Sequence, residues 1–138
     1  MVTWSEALRT GVAEIDEQHQ LLFKRAAVVR EAVAAGQGSQ EVRHTIDFLL
    51  AYASVHFETE ARYMTVAAYP EEQLHLDEHV KLTQALLRAA EAYKAEGASP
   101  RLAEELVGFF ERWLADHIHE HDRQLAGWLA RATTPGVD

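Results

Sequence analysis

Histidines and carboxylates recur in this chain at a spacing of four residues, which places two side chains on the same face of a helix. His56 precedes Glu60 by four residues, and His75 precedes His79 by the same interval. Residues 117–122 add three imidazoles and two carboxylates in six positions. Side chains paired in this way can converge on one metal ion, so the pattern points to metal binding.

The ligand types restrict the metal. The chain has no cysteine, which excludes disulfides, iron–sulfur clusters, thiolate zinc sites and cysteine nucleophiles. Imidazoles suit zinc, copper, iron and nickel, and carboxylates can bridge a metal pair. Seven ligands exceed the four that tetrahedral zinc takes, and they fit two metals that share bridging groups. The candidates are His19, His56, Glu60, His75, His79, His117 and either His121 or Asp122.

Four segments with helical periodicity carry these side chains. They span about residues 16–35, 40–66, 70–96 and 100–130, after an arm of about residues 1–15 that Trp4 and Ile15 should fix to the helices. Because the breaks are short and no segment alternates like a strand, we expect one all-α domain over 1–138. Its architecture should be an antiparallel up-down-up-down four-helix bundle with an irregular N-terminal arm.

Helix ends are predicted from capping residues. Gly36 should end the first helix and Gly97 the third. Ser39 is a candidate N-cap for the second helix, and Ser99, followed by a proline, is one for the fourth. Pro70 suits the first position of the third helix.

The histidines also lie at compatible levels of such a bundle. A site near the start of helix one should meet the end of helix two, the start of helix three and the end of helix four. His19 and His75 lie early in their helices, whereas His56 and His117 lie late in theirs. The sequence therefore predicts one site to which all four helices contribute.

The composition restricts the classes of partner that the chain is expected to bind. Thirteen basic against 22 acidic residues give a net charge of −9, which argues against nucleic acid and anionic membrane, since both need clustered lysine and arginine. No apolar run is long enough to span a bilayer. The N-terminal residues lack the pattern of a signal peptide, so we expect a cytoplasmic protein with no membrane insertion. No feature of the sequence indicates a protein partner.

With these residues in view, the sequence resembles the hemerythrin family, in its bacterial single-domain form. The resemblance covers nearly the whole chain. The stretches that carry it are Trp4, Gly11, Ile15-Asp16-Glu17-Gln18-His19, His56-Phe57-Glu58-Thr59-Glu60, Met64, Tyr69-Pro70, His75, His79, Trp113-Leu114-Ala115-Asp116-His117-Ile118 and Asp122. One departure is Ala61, where many relatives carry an acidic residue that is not a ligand.

The resemblance implies two iron ions with a bridging oxo or hydroxo group. His75, His79 and His117 would saturate one iron, whereas His19 and His56 would hold the other and leave a position open. Glu60 and Asp122 would bridge the pair. Dioxygen would bind at the open iron and be released intact. The side chains that would line its pocket are Leu22, Phe57, Trp113, Leu114 and Ile118.

Helix four carries a conflict between spacing and resemblance. Spacing favours His121 as the partner of His117, because they lie four residues apart. Asp122 lies five residues away, about 140° round an ideal helix. The resemblance selects Asp122, which would require a local π-type turn.

The expected function is reversible dioxygen binding for transport, storage or delivery, without enzymatic turnover. A neutral, histidine-rich ligand set favours this over oxygenase chemistry. The alternatives are an oxygen or iron sensor and a di-iron enzyme that reduces peroxide or nitric oxide. His75-Leu76-Asp77-Glu78-His79 also matches the H-x-x-E-H pattern of some zinc peptidases, but that reading leaves the ligands of helices two and four without a purpose.

Overall fold

A computed structural model, which describes residues 2–37, 39–95 and 99–132, shows four long helical rods preceded by a short arm. The described ranges contain no strand. The elements are a 3₁₀ turn at Glu6–Leu8, α1 (Ala13–Ala34), α2 (Ser39–Val66), α3 (Glu72–Ala95), α4 (Pro100–His117), a π turn (Ile118–Asp122) and α5 (Arg123–Ala132).

The rods form a four-helix bundle, as the sequence predicts. Helix α1 packs against α2 and α4, and α3 packs against the same two helices. Helices that follow one another along the chain are neighbours in the bundle, so neighbouring rods run antiparallel. Within the described part of the chain, no helix is long and apolar enough to cross a membrane.

Helix α1 begins at Ala13, three residues earlier than predicted. Its N-cap is Val12, whose side chain cannot accept a hydrogen bond, so the sequence carries no capping signal there. Instead the buried carboxylate of Asp16 accepts hydrogen bonds from Thr10 N, at 2.8 Å, and from Gly11 N, at 3.1 Å. Gly11 has φ of +92°, a conformation that glycine adopts without steric cost. This turn joins the arm to α1, and Trp4 packs against the core.

The end of α1 follows the expected pattern. Gly36 takes φ of +70°, and Gln37 N donates to Ala32 O, as in a Schellman motif. The prediction for Ser39 concerns a side chain outside the described residues. The predicted end of the third helix, at Glu96 and Gly97, also lies outside them.

Pro70 does not start α3, contrary to the prediction. It lies in a turn that Glu72 N closes on Tyr69 O at 3.2 Å, and the helix begins at Glu72. A proline in the second position of a β-turn has the same preferred φ as one in a first helical turn, so the sequence alone favours neither. At α4 the prediction is confirmed, because Ser99 accepts a hydrogen bond from Arg101 N.

The fourth rod is not one uninterrupted α-helix. Residues Ile118–Asp122 form the π turn, and the residues on both sides of it keep right-handed helical angles. The π turn therefore adds one residue to a single turn of the fourth rod, and the rod stays helical on both sides.

Two hydrophobic clusters stabilise the bundle, and a polar layer separates them. The larger cluster includes Leu22, Leu49, Leu86 and Phe110, all almost inaccessible to solvent. Burying one such side chain contributes roughly 1.5–3 kcal/mol. The smaller cluster consists of Met64, Tyr69, Leu125 and Leu129. Along each rod, the predicted ligands lie between the residues of these two clusters.

Candidate metal centre

The polar layer brings together the seven side chains that the resemblance selects. All are buried, with at most 4% of their surface exposed. Helix α1 supplies one of them, α2 two, α3 two, α4 one and the π turn one. They are His19, His56, Glu60, His75, His79, His117 and Asp122.

The seven form two overlapping groups, in each of which the ligand atoms lie within 4.8 Å of one another. One group offers three imidazoles, from His75, His79 and His117, and the other offers two, from His19 and His56. Glu60 and Asp122 belong to both groups.

Each shared carboxylate directs one oxygen to each group. Glu60 Oε1 lies 3.1 Å from His75 Nε2 and 3.0 Å from His79 Nε2, whereas its Oε2 lies 3.1 Å from His56 Nε2. Asp122 Oδ1 lies 3.0 Å from His75 Nε2, whereas its Oδ2 lies 2.9 Å from His19 Nε2. A carboxylate placed in this way can bridge two cations.

The layer does not satisfy its own hydrogen-bonding groups. Among the described residues, eight of the nine buried side-chain nitrogen and oxygen atoms without a hydrogen-bond partner belong to it. His117 Nε2 also faces the Nε2 atoms of His79 and His75, at 3.1 and 3.2 Å. Converging buried nitrogen and oxygen atoms with too few hydrogen-bond partners are costly in a protein interior unless cations bind among them. The donor set therefore fits metal ions.

The imidazoles and carboxylates of the layer strongly shift one another's pKa values. Burial alone would lower the pKa of His19, but the carboxylates of Asp122 and Glu60 outweigh it and raise that pKa to about 9. The same opposition raises the pKa of His75 to about 9. For Glu60 and Asp122, burial favours the neutral acid, yet the surrounding imidazoles hold both pKa values well below the usual range. The pKa of His79 is lowered, chiefly by burial.

The π turn resolves the conflict on the fourth rod. It carries Asp122 round to the buried side, where Asp122 Oδ1 lies 3.1 Å from His117 Nε2. His121 stays on the outer side of the layer: its ring centroid lies 5.1 Å from that of His117, and it belongs to neither ligand group. The regular spacing of four therefore does not select the side chain that the structure buries in the polar layer.

The predicted oxygen-pocket residues fall into two sets. Leu22, Leu114 and Ile118 lie in the larger hydrophobic cluster and are at most 1% exposed. Phe57 stacks on the His79 ring at 4.0 Å, and Trp113 stacks on the His117 ring at 4.4 Å. The two aromatic side chains thus cover the three-histidine group.

A further polar residue of the layer escaped the sequence analysis. Gln18 Oε1 lies 2.7 Å from His56 Nδ1, and Gln18 Nε2 donates to Thr59 Oγ1 at 3.1 Å. Gln18 directly precedes a candidate ligand, but its partners lie 38 and 41 residues away, and no spacing along one helix reveals such contacts.

Comparisons with known proteins agree with this geometry. The family model for the hemerythrin HHE cation binding domain matches residues 10–129. A bacteriohemerythrin of Ralstonia nicotianae is 31% identical over 131 residues, which cover 95% of this chain and 90% of that protein. One of Methylococcus capsulatus is 27% identical over 89% of this chain and 92% of its own length. A crystal structure of wild-type hemerythrin matches with a TM-score of 0.84 at 26% identity, covering 94% of this chain and 98% of that chain.

Proposed function

The chain belongs to the hemerythrin family, and from this premise we propose that it binds dioxygen reversibly at a non-heme di-iron centre. Transport, storage and delivery of oxygen all need such a site. The observation that carries the proposal is the sharing of Glu60 and Asp122, each with one oxygen toward either histidine group.

The ligand assignment follows the two groups. His75, His79 and His117 would hold one iron, His19 and His56 would hold the other, and the two carboxylates would bridge them together with a solvent-derived oxo or hydroxo group. Iron, when bound, supplies the reversible electron transfer to dioxygen that no side chain of this protein can perform.

The groups differ in the number of ligands that they offer. The first provides three nitrogens and shares two carboxylates, whereas the second provides two nitrogens and shares the same carboxylates. The second therefore has one ligand fewer, and we place the position for dioxygen there.

The chain's own contribution is to keep this layer charged, fixed and dry. The two buried carboxylates stay ionised because imidazoles surround them, and their negative charge favours metal cations. Leu22, Leu114 and Ile118 bury apolar surface beside the ligands. We propose that these three side chains exclude water from the dioxygen position, while Phe57 and Trp113 shield the histidines of the other group.

The proposal is tested on reduced, iron-loaded protein under anaerobic conditions. Adding dioxygen should produce a new visible absorption, and removing dioxygen by purging should restore the reduced spectrum over repeated cycles. Metal analysis should return two irons per chain. His56→Ala and His75→Ala provide one loss-of-ligand variant in each group, and both should retain less iron.

Two outcomes would contradict the proposal. A preparation that holds one zinc per chain and hydrolyses peptides would show a different site. Steady consumption of reductant with dioxygen, peroxide or nitric oxide, without an oxygenated form that reverses, would show an enzyme.

A further inference from the structure

Gln18 connects a ligand on α2 to another residue of α2 by way of α1. Its carbonyl oxygen lies 2.7 Å from His56 Nδ1, and its amide nitrogen lies 3.1 Å from Thr59 Oγ1. Thr59 is 2% exposed, and Gln18 is half-buried. Both contacts therefore lie largely out of competition with water.

The donors and acceptors along this path, as the structure orients them, follow one direction. Thr59 Oγ1 lies 3.2 Å from Val55 O, a carbonyl that can only accept, so the hydroxyl proton of Thr59 points there. Arg62 Nη2, which can only donate, lies 3.3 Å from the same hydroxyl oxygen. Thr59 has no second proton to give. The atom of Gln18 that faces it is accordingly the amide nitrogen, which donates to the hydroxyl oxygen.

The orientation of Gln18 then determines the proton on His56. With its amide nitrogen toward Thr59, Gln18 turns its carbonyl oxygen to His56 Nδ1. At 2.7 Å this contact requires a proton on Nδ1. In a neutral imidazole the other nitrogen is then a free acceptor. That nitrogen, Nε2, lies 3.1 Å from Glu60 Oε2, on the side of the metal centre.

We propose that Gln18 and Thr59 are positioning residues that hold His56 in the tautomer able to bind metal through Nε2. The proposal rests on the metal centre proposed above. Val55 O, the Thr59 hydroxyl and the Gln18 amide form a directed chain, defined here as the 55–59–18 relay. The relay begins at a backbone carbonyl of α2, one residue before the ligand that it orients.

Three of the other four histidines lack such support. Among the described residues, the Nδ1 atoms of His19, His79 and His117 are buried without a hydrogen-bond partner. The relay therefore acts on a single ligand, in the group that offers fewer histidines. A carbonyl acceptor on Nδ1–H also makes the ring more basic, which strengthens its bond to a metal. The bond from His56 to the metal that both residues would hold should consequently be stronger than the bond from His19.

The experiment separates the Thr59 hydroxyl from its volume. Thr59→Val keeps the size of the side chain but has no hydroxyl, whereas Thr59→Ser loses a methyl group and keeps the hydroxyl. Gln18→Leu removes the acceptor, and Gln18→Glu keeps one. In full-length, iron-loaded protein exposed to a chelator, Thr59→Val and Gln18→Leu should release one of the two irons about 10–100-fold faster. Thr59→Ser and Gln18→Glu should stay near the parent.

A second measurement reads the tautomer directly. In full-length protein with ¹⁵N-labelled histidine, loaded with diamagnetic zinc in place of iron, long-range ¹H–¹⁵N spectra should show His56 protonated at Nδ1. Thr59→Val should give a mixture of tautomers, because Gln18 can then turn its amide round. Thr45→Val is the matched control, since Thr45 Oγ1 makes the same kind of bond, to Val42 O, on α2 and remote from the ligands. It should change neither measurement.

The two arms distinguish this proposal from the proposed function. If the parent binds iron and dioxygen but Thr59→Val behaves like Thr45→Val in both measurements, the relay is wrong and the function stands. If Thr59→Ser loses iron as fast as Thr59→Val, packing rather than the hydroxyl is responsible, and the relay is again wrong. If the parent binds no iron, the proposed function fails, and the tautomer of His56 alone decides the relay.

Discussion

Two polar clusters connect the helices of this bundle, and they are built in opposite ways. In the first, Arg30 Nη1 on α1 donates to Glu111 Oε2 on α4 at 2.6 Å, and Arg30 Nε reaches Glu104 at 3.2 Å. Glu111 is 2% exposed, yet its charge has a partner. In the second, the polar layer, eight buried polar atoms have no hydrogen-bond partner among the described residues.

The difference separates a structural role from a binding role. Arg30 and Glu111 neutralise each other, so nothing further is needed at that level of the bundle. The polar layer has five imidazoles and two carboxylates whose nitrogen and oxygen atoms converge in two overlapping groups. Such an arrangement costs stability unless it binds cations. We therefore expect substitutions at the pair to change the free energy of unfolding, and substitutions in the layer to change metal binding.

The largest effect is expected at Asp122, because both ligand groups share it. Asp122→Ala should weaken iron binding by more than about 100-fold, since losing a bridging ligand should exceed the 10–100-fold effects typical of residues outside the coordination sphere. Iron content after gel filtration measures it.

His121→Ala is the matched control, because His121 is the neighbour that regular spacing would have chosen. The iron content and the absorption spectrum of His121→Ala should match those of the parent. Retained iron in Asp122→Ala together with lost iron in His121→Ala would show that the π turn does not place the ligand.

These two residues also show how much of the site can be predicted from the sequence. The four helices and the common level of His19, His56, His75 and His117 follow from periodicity and short loops. The choice between His121 and Asp122 does not, because a π turn is a departure from the regular helix that spacing assumes. The resemblance supplied that choice. Gln18 and the Arg30–Glu111 pair could not be predicted, since their contacts join different helices and leave no pattern within either one.

The next effect concerns Leu114, which lies on α4 between the ion pair and the polar layer. It comes three residues after Glu111 and three before His117, and it is 1% exposed. Leu114→Ala should cost about 2–5 kcal/mol in the free energy of unfolding, as buried leucines do. If Leu114 excludes water from the dioxygen position, the oxygenated form should also oxidise irreversibly several-fold faster, as followed by its absorption at equal iron content.

Leu106→Ala provides the comparison for that rate. Like Leu114, Leu106 is buried and belongs to the larger hydrophobic cluster, but it lies two turns of α4 further from the polar layer. It should lose similar stability without faster oxidation. Equal oxidation rates in the two variants would mean that Leu114 is ordinary core.

The ion pair should show the complementary behaviour. Glu111→Gln leaves the Arg30 guanidinium without its short carboxylate contact in a mostly buried place, and should lower the free energy of unfolding by about 1–3 kcal/mol. Urea unfolding measures this loss. The double variant Arg30→Met, Glu111→Leu should recover much of the stability, because apolar groups can replace a buried pair. Iron content should be unchanged in both, and a loss of iron in either would break the distinction between the clusters.

The smallest effect, and the most specific, is the pH dependence of stability. In the metal-free protein the pKa values of His19 and His75 are raised to about 9, from an unfolded value of about 6.5. The folded state thus binds more protons between these values, so this contribution to stability is complete below pH of about 6.5 and is lost by pH of about 9. His79, whose pKa is lowered, changes stability only below that window.

Iron reverses the dependence of stability on pH, because coordinating imidazoles must be neutral, and protons compete with the metal as the pH falls. Thermal unfolding between pH 6 and 9 should therefore give a falling Tm without metal and a level or rising Tm with iron. The double variant Arg30→Met, Glu111→Leu, which leaves the layer intact, should keep both slopes, whereas parallel slopes with and without iron would show that the histidines do not bind it.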